Sequence, residues 1–243
     1  MILGSALPAL LWGVAWANIV GGVPLKEAAG KIEYAGTLLD LLTPYALLGG
    51  VVTLLLFLTH GAVFLTLRTK GEIHVRAERI AKRLAPVMVA ALLAFALWTV
   101  LRQDGFQVVS VLALAGAVIA GAVAVVRIGG HEARSFAATA AAIVLLFVGL
   151  FADLFPNAIA GRGSSPSLSL AAASSTPYTL KVMTVVAVIF VPVVLAYKAW
   201  TYWVFRARLG AEDFEGIRPP IDLLERRHDR SRHDEGESEP KPT

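Results

Sequence analysis

Six long apolar stretches constrain what this chain can fold into more than any other feature of its sequence. Each has about 20 residues, the length of helix that crosses the hydrocarbon core of a bilayer. Because their side chains do not alternate between polar and apolar, they predict helices rather than the strands of a membrane barrel. The stretches are Ile2–Val20, Leu41–Leu67, Ala85–Leu101, Val108–Val126, Phe136–Leu154 and Leu180–Phe205. The predicted fold is an all-α, polytopic integral membrane bundle of about six transmembrane helices.

The sparse charge of the chain supports a membrane location. Only 16% of the 243 residues are charged, against roughly 25% in an average soluble domain. The net charge of +4 is modest, and the basic residues cluster in short connections, which argues against a nucleic-acid partner. The first stretch lacks a basic leader and a clear cleavage site, so we expect a membrane helix there rather than a removed signal peptide.

Lysine and arginine concentrate on one side of the predicted bundle. Since cytoplasmic loops of membrane proteins are enriched in these residues, both termini are expected in the cytoplasm. The loop after the second stretch carries Arg68, Lys70, Arg76, Arg79, Lys82 and Arg83, the loop after the fourth carries Arg127 and Arg134, and Arg206 and Arg208 follow the sixth. The opposite side holds Lys26, Lys31, Arg102, Arg162 and Lys181.

The composition divides the chain into two parts. Residues 1–209 form the predicted transmembrane domain, and residues 210–243 are charged, mixed in sign and predicted to be a disordered cytoplasmic tail. Pro156–Ser175 is rich in Ser, Gly and Pro and predicts an extracytoplasmic loop. Thr176 is placed to cap the last helix ahead of Pro177, and aromatic residues follow at its end, where amphipathic rings favour the membrane interface. These are Trp200, Tyr202 and Trp203.

Few polar residues within the apolar stretches are candidates for chemistry. His60 is the one histidine in a predicted span, and we interpret it as a hydrogen-bonded residue near the end of the second helix rather than a haem or metal ligand. Asp153 is interpreted as a helix-end residue, with a proton relay as the alternative. Asn18 is expected to join helices by hydrogen bonds, with contact to a ligand as the alternative. Gly49-Gly50 and the pair Gly116 and Gly121 predict close helix contacts.

Several chemistries have no support in the sequence. There are no cysteines, which excludes disulfides, thiolate zinc sites and iron–sulfur clusters. The remaining histidines, His74, His131, His228 and His233, are assigned to loops or tail, so a metal cluster is not expected. We find no Walker-type loop, no serine-nucleophile elbow and no paired carboxylates at catalytic spacing. The residues alone therefore predict a multi-helix membrane subunit or a transporter.

Several segments have an idiosyncratic residue order. The longest begins Ala173-Ser-Ser-Thr-Pro-Tyr-Thr-Leu-Lys-Val-Met-Thr, continues through Val191-Pro192 and ends Tyr197-Lys-Ala-Trp-Thr-Tyr-Trp. The others are Gly13-Val-Ala-Trp-Ala-Asn-Ile-Val-Gly-Gly-Val-Pro24, Thr43-Pro-Tyr-Ala-Leu-Leu-Gly-Gly50, Thr59-His-Gly-Ala62 and Leu154-Phe-Pro-Asn157. In this order the chain resembles subunit II of cytochrome bd-type quinol oxidases, from Met1 to about Leu209.

The resemblance implies a membrane subunit of a quinol:oxygen oxidoreductase, in which quinol is oxidised and dioxygen is reduced to water. In that family subunit I holds the haems, including haem b and haem d, whereas subunit II is an all-helical partner without redox cofactors. Subunit II stabilises the haem-bearing helices and helps to form routes for protons or oxygen. The implied location is a bacterial inner or plasma membrane, with subunit I, lipid and, through the complex, quinol as partners. A structural quinone in this subunit is compatible with the family, but no catalytic, cofactor-binding or metal-binding residue is assigned.

The sequence departs from the family at its beginning. Members normally start with two further helices and a Gly-rich acidic segment that have no counterpart in these residues. We therefore expect a truncated or split reading frame, or a start assigned late, and carry over no proton-path residue. Two alternatives stay open: a small transporter or permease of another family, and an inactive, truncated scaffold subunit.

Overall fold

The computed structural model describes residues 2–28, 30–102 and 107–204. The long helices there are α1 (Ile2–Gly21), α2 (Pro44–Arg68), α3 (Gly71–Arg102), α4 (Val108–Arg127), α5 (Glu132–Leu154) and α7 (Pro177–Val204), and α6 (Leu170–Ala173) is a single turn. The short strands are β1 (Leu25–Ala28), β2 (Lys31–Tyr34), β3 (Asn157–Ile159) and β4 (Leu168–Ser169). The six long helices are each apolar and long enough to cross a membrane. This confirms the predicted all-α polytopic bundle.

The start of α2 is set by a helix cap. Leu39–Leu41 forms a 3-10 turn, and the helix begins at Pro44 rather than at the predicted Leu41. Thr43 is the N-cap, and its side-chain oxygen accepts a hydrogen bond of 3.1 Å from the Ala46 amide. A proline in the first turn after such a cap is favoured because its fixed φ angle suits the helix. The N–H that proline lacks would have no hydrogen-bond partner within the helix at this position.

The start of α3 differs from the predicted loop. Arg76, Arg79, Lys82 and Arg83 were expected in a loop, but α3 begins at Gly71 and contains all of them. The segment has good helix formers, and the pairs Glu72–Arg76 and Glu78–Lys82 approach to 2.5 Å one turn apart. Its charges keep it out of the hydrocarbon core without opposing helix formation.

The core lies where α1 to α5 meet. Helix α2 contacts α1, α3 and α5, and α4 packs between α3 and α5. Large side chains that are fully buried there are Leu56, Met88, Leu92, Phe95, Leu114 and Leu146. Since lipid tails are as apolar as these side chains, close packing rather than removal from water holds such a core together.

Small residues bring α1 and α2 into close contact. A Cβ on Gly49 would lie 2.6 Å from the Ala17 Cβ, and one on Gly50 would lie 2.8 Å from Val14 Cγ2. Thr53 also donates a 2.9 Å hydrogen bond to the Ala9 carbonyl of α1. These contacts confirm the prediction from Gly49-Gly50.

The two glycines of α4 make looser contacts than Gly49-Gly50. A Cβ on Gly116 would lie 3.2 Å from Leu145 Cδ1 of α5, and one on Gly121 would lie 3.2 Å from Val89 Cγ2 of α3. Both glycines therefore face side chains of a neighbouring helix rather than its backbone. The predicted helix contacts are confirmed, without a backbone-to-backbone approach.

Two small hairpins cover the end of the bundle where α1 finishes. Strand β1 pairs with β2, and β3 pairs with β4, both antiparallel. An isolated bridge between Val23 and Gly161 joins the two connections. The predicted loop Pro156–Ser175 is in place but contains β3, β4 and α6, because backbone amides and carbonyls there find partners in each other.

Helix α7 starts as predicted but packs differently from the other helices. The Thr179 amide donates to Thr176 Oγ1 at 3.4 Å, which supports the predicted cap. None of the residues of α7 is buried, whereas α2 to α5 each have a buried face. Trp200, Tyr202 and Trp203 occupy its last turns, as expected from the sequence. Phe205, Arg206, Arg208, His228, His233 and the predicted tail 210–243 lie outside the described residues.

Candidate functional sites

Basic segments from different parts of the chain meet at one end of the bundle, which we call the basic end. It comprises the end of α2 at Arg68, the first half of α3 and the α4–α5 connection. Gly129, in that connection, adopts φ +88° and packs against the side chains of Glu78 and Lys82 on α3. The connections that follow the second and fourth spans therefore share one end, as their lysines and arginines predicted.

His60 lies within α2, about two turns from the basic end. Its Nδ1 is 2.8 Å from Thr139 Oγ1 of α5. Since the Thr139 hydroxyl gives its one hydrogen to the Phe136 carbonyl, it accepts from His60, and Nδ1 carries the proton. The imidazole ring also stacks on Phe136, with 4.6 Å between centroids. This confirms the predicted hydrogen-bonded histidine near a helix end.

The observed contacts of His60 are those of a residue that joins two helices. Its ring also lines a cavity of about 540 Å³. Phe136 covers one face of the imidazole, and His74, on α3, is held by the Thr66 carbonyl of α2. Among the described residues, no three or more His, Cys, Asp or Glu side chains are grouped to hold a metal ion. We assign no redox step to His60.

A second polar cluster joins three helices at the basic end. His74 donates from Nδ1 to the Thr66 carbonyl at 3.0 Å. Its Nε2 lies 3.5 Å from a carboxylate oxygen of Glu132 and 3.7 Å from one of Glu78. A cleft of about 380 Å³ adjoins the cluster. His74 was expected in a loop; it lies on α3 because that helix starts early. The sequence pattern did not predict this cluster.

The opposite end of the bundle holds a buried aromatic and polar cluster. Tyr45 stacks on Phe95 with 5.0 Å between centroids, and its hydroxyl is 2.9 Å from Thr99 Oγ1. Thr99 donates in turn to the Phe95 carbonyl, so Tyr45 donates to Thr99. The Arg102 guanidinium lies 4.4 Å above the Tyr45 ring and also donates to the Gly21 carbonyl. The cluster ties α1, α2 and α3 together at this end.

Asn18 connects α1 to the segment that leads into α2. Its amide nitrogen donates to the Val14 carbonyl at 2.8 Å and to the Leu41 carbonyl at 2.7 Å. The side chain is 5% exposed, and within the described part of the chain its oxygen has no hydrogen-bond partner. The expected bond between membrane helices is therefore not observed: Asn18 joins α1 to the 3-10 turn that precedes α2.

Two carboxylates also lie toward this end. Asp153 is half-buried one residue before the end of α5, as the helix-end interpretation predicts. Asp40, in the 3-10 turn, accepts from the amide and hydroxyl of Thr37 at 2.7 and 2.8 Å. These hydrogen bonds, the backbone one above all, hold the pKa of Asp40 below its ordinary value. They fix the connection between β2 and α2.

Helices of this length and apolarity, with polar contacts concentrated at their ends, define a multi-pass membrane protein. The sequence profile described as cytochrome bd terminal oxidase subunit II matches residues 1–205. The chain therefore belongs to the cytochrome bd terminal oxidase subunit II family.

The relatives it resembles are bacterial. Cytochrome bd ubiquinol oxidase subunit 2 of Bacillus subtilis is 30% identical over 218 residues, which cover 88% of this chain and 64% of the relative. Cytochrome bd-I ubiquinol oxidase subunit 2 of Escherichia coli K12 is 30% identical over 252 residues, covering 88% and 66%. A probable cytochrome oxidase subunit 2 of Haemophilus influenzae is 27% identical. The chain thus spans about two thirds of the length of these relatives, 64% to 66%.

Proposed function

We propose that this chain is a membrane subunit of a bacterial cytochrome bd-type quinol oxidase that holds no redox cofactor and stabilises a haem-bearing partner subunit. The family match over residues 1–205 carries this proposal. Hydrogen bonds of three polar side chains support it: His60, Tyr45 and Thr99 each bond to a neighbouring helix. Such bonds fix the positions of helices and leave these groups in a structural role.

A visible spectrum of the purified chain tests the proposal. The tagged chain is isolated in mild detergent from its native membranes, and its reduced-minus-oxidised spectrum is recorded. We expect bands of haem b and haem d together with a second, larger polypeptide. A colourless chain without a partner would contradict the proposal. Haem and a partner without quinol-dependent oxygen uptake would instead identify a scaffold subunit.

Substitution of His60 separates a partner's haem from haem held by this chain. In His60→Asn the amide nitrogen replaces Nδ1 as the donor to Thr139, while the nitrogen available to iron is removed. We expect the haem bands and the haem-to-protein ratio of the purified complex to stay unchanged. Loss of one haem equivalent would show that His60 is a ligand and that the chain is not cofactor-free.

We further propose that the basic end faces the cytoplasm, following the excess of lysine and arginine in the segments that meet there. Because the chain has no cysteine, single cysteines report the side without background. Gly130→Cys, in the α4–α5 connection, should react with a membrane-impermeant maleimide only after the cells are permeabilised. Ser164→Cys, in the connection that contains β3 and β4, should react in intact cells once an outer membrane, if present, is opened. The reverse pattern would invert the proposed topology.

A further inference from the structure

Two arginines one turn apart lie on an exposed face of α3 at the basic end. Arg79 and Arg83 line a groove of about 390 Å³ together with Val75, Glu78 and Lys82. The Glu78 carboxylate is held by Lys82 at 2.5 Å. Among the described residues, neither Arg79 nor Arg83 forms an ion pair or a hydrogen bond from its side chain. The groove therefore presents two guanidinium groups that no described acidic side chain pairs with.

The position of these arginines along α3 places them at the membrane surface. The apolar part of the helix, Ala85–Leu101, is about 25 Å long at a rise of 1.5 Å per residue, slightly less than the roughly 30 Å of a hydrocarbon core. Arg83 comes two residues before this part, at the boundary of the core, and Arg79 lies about 6 Å further out. Lipid headgroups occupy roughly the next 5–8 Å beyond the core. Both guanidinium groups are therefore at the depth of lipid phosphates.

The same face of α3 continues into the membrane as an exposed apolar surface. Residues that follow the two arginines at spacings of three and four share one side of a helix. Here they are Pro86, Ala90, Leu93 and Leu97, and all four are exposed. The short side chains of Pro86 and Ala90 leave room beside the helix directly below the arginines. This face is thus cationic at the depth of the phosphates and apolar at the depth of the acyl chains.

We infer that Arg79 and Arg83 bind the phosphate of one anionic membrane phospholipid, with an acyl chain along the apolar face below them. A guanidinium binds phosphate by paired hydrogen bonds, and two of them about 6 Å apart along the helix reach the same headgroup. Each basic side chain at the membrane surface attracts anionic lipids by about fivefold. An acidic protein segment would match the two charges but not the apolar surface directly beneath them, so the face favours a lipid.

Fluorescence quenching beside this face tests the inference. Because the chain has no cysteine, a fluorophore on Ala90→Cys reports from one position, and labelling of the unchanged chain with its accompanying subunits gives the background. The full-length chain, with those subunits, is placed in phosphatidylcholine nanodiscs that contain nitroxide-labelled phosphatidylglycerol or phosphatidylcholine. We expect phosphatidylglycerol to bind more than tenfold more tightly, and Arg79→Gln and Arg83→Gln each to lower this preference about fivefold. Inorganic phosphate, which has no acyl chain, should compete no better than sodium chloride of equal ionic strength.

Arg76→Gln is the matched control. It removes the same charge from the same helix, but Arg76 is paired with Glu72 and lies further from the apolar part of α3, so the preference should change by less than about twofold. Equal quenching by the two lipids, or a preference that persists in both Arg79→Gln and Arg83→Gln, would overturn the inference. Shielding of Ala90→Cys from both lipids by an accompanying subunit would also overturn it and identify a protein interface. Because the readout is lipid, its failure is distinguishable from the absence of haem.

Discussion

Gly13→Leu should separate α1 from α2 and lower the stability of the bundle by more than about 3 kcal/mol. A Cβ on Gly13 would overlap both the Thr53 side-chain oxygen and the carbonyl oxygen of Gly49. The second obstacle is backbone, which cannot rotate away as a side chain does. We expect a large fall in the temperature at which the detergent-solubilised chain loses its monodisperse peak in size-exclusion chromatography.

The same helix supplies the control for this prediction. Gly4 has open space where its Cβ would lie, so Gly4→Leu should change the melting temperature little. Gly13→Ala should fall between Gly13→Leu and the unchanged chain, since its single methyl meets the same atoms. Equal melting temperatures for Gly13→Leu and Gly4→Leu would show that α1 and α2 are not in contact at this point.

Leu92→Ala and Leu93→Ala should differ widely in effect although the chemical change is identical. Leu92 is fully buried between helices, whereas Leu93 is 45% exposed on a face of α3 that we assign to lipid. Lipid fills the space that Leu93 vacates, but nothing fills the cavity left at Leu92. Lipid and core are equally apolar, so lost packing alone lowers the stability. We expect Leu92→Ala to lower the free energy of unfolding by about 1–3 kcal/mol.

The pair is compared by denaturation in mixed detergent micelles, followed by circular dichroism. Leu93→Ala should stay within about 0.5 kcal/mol of the unchanged chain. Similar losses for the two variants would mean that Leu93 is also covered by protein, and that the face of α3 assigned to lipid is an interface with another helix.

Hydropathy predicted the membrane spans because each one has to satisfy its own backbone in lipid. It failed at α3, where the helix continues well beyond the apolar part. Hydropathy reports which residues enter the bilayer, whereas helix formation in Glu72–Arg83 depends on propensity and on ion pairs one turn apart. A count of helix formers with charges four residues apart would have found the true start at Gly71.

The clusters at the two ends could not be predicted from the sequence. Tyr45 and Thr99 are 54 residues apart, and His60 and Thr139 are 79 apart, so no local pattern connects them. Their residue types were the one available signal of such clusters, since a hydroxyl group in an apolar helix usually has a hydrogen-bond partner. The hairpins were missed for a similar reason: β1 to β4 are each four residues or fewer and carry little alternation to detect.

The joined hairpins at the end opposite the basic end bear on the order in which the chain matures. Val23 bridges Gly161, and Arg162 donates to the Gly22 carbonyl, a residue 140 positions earlier. Neither contact can form until the ribosome has delivered the fifth span and the connection after it. Helix α1 must therefore stay in the membrane without this contact while α2 to α5 are inserted. The contact between the two hairpins can therefore form only after α5 has been inserted.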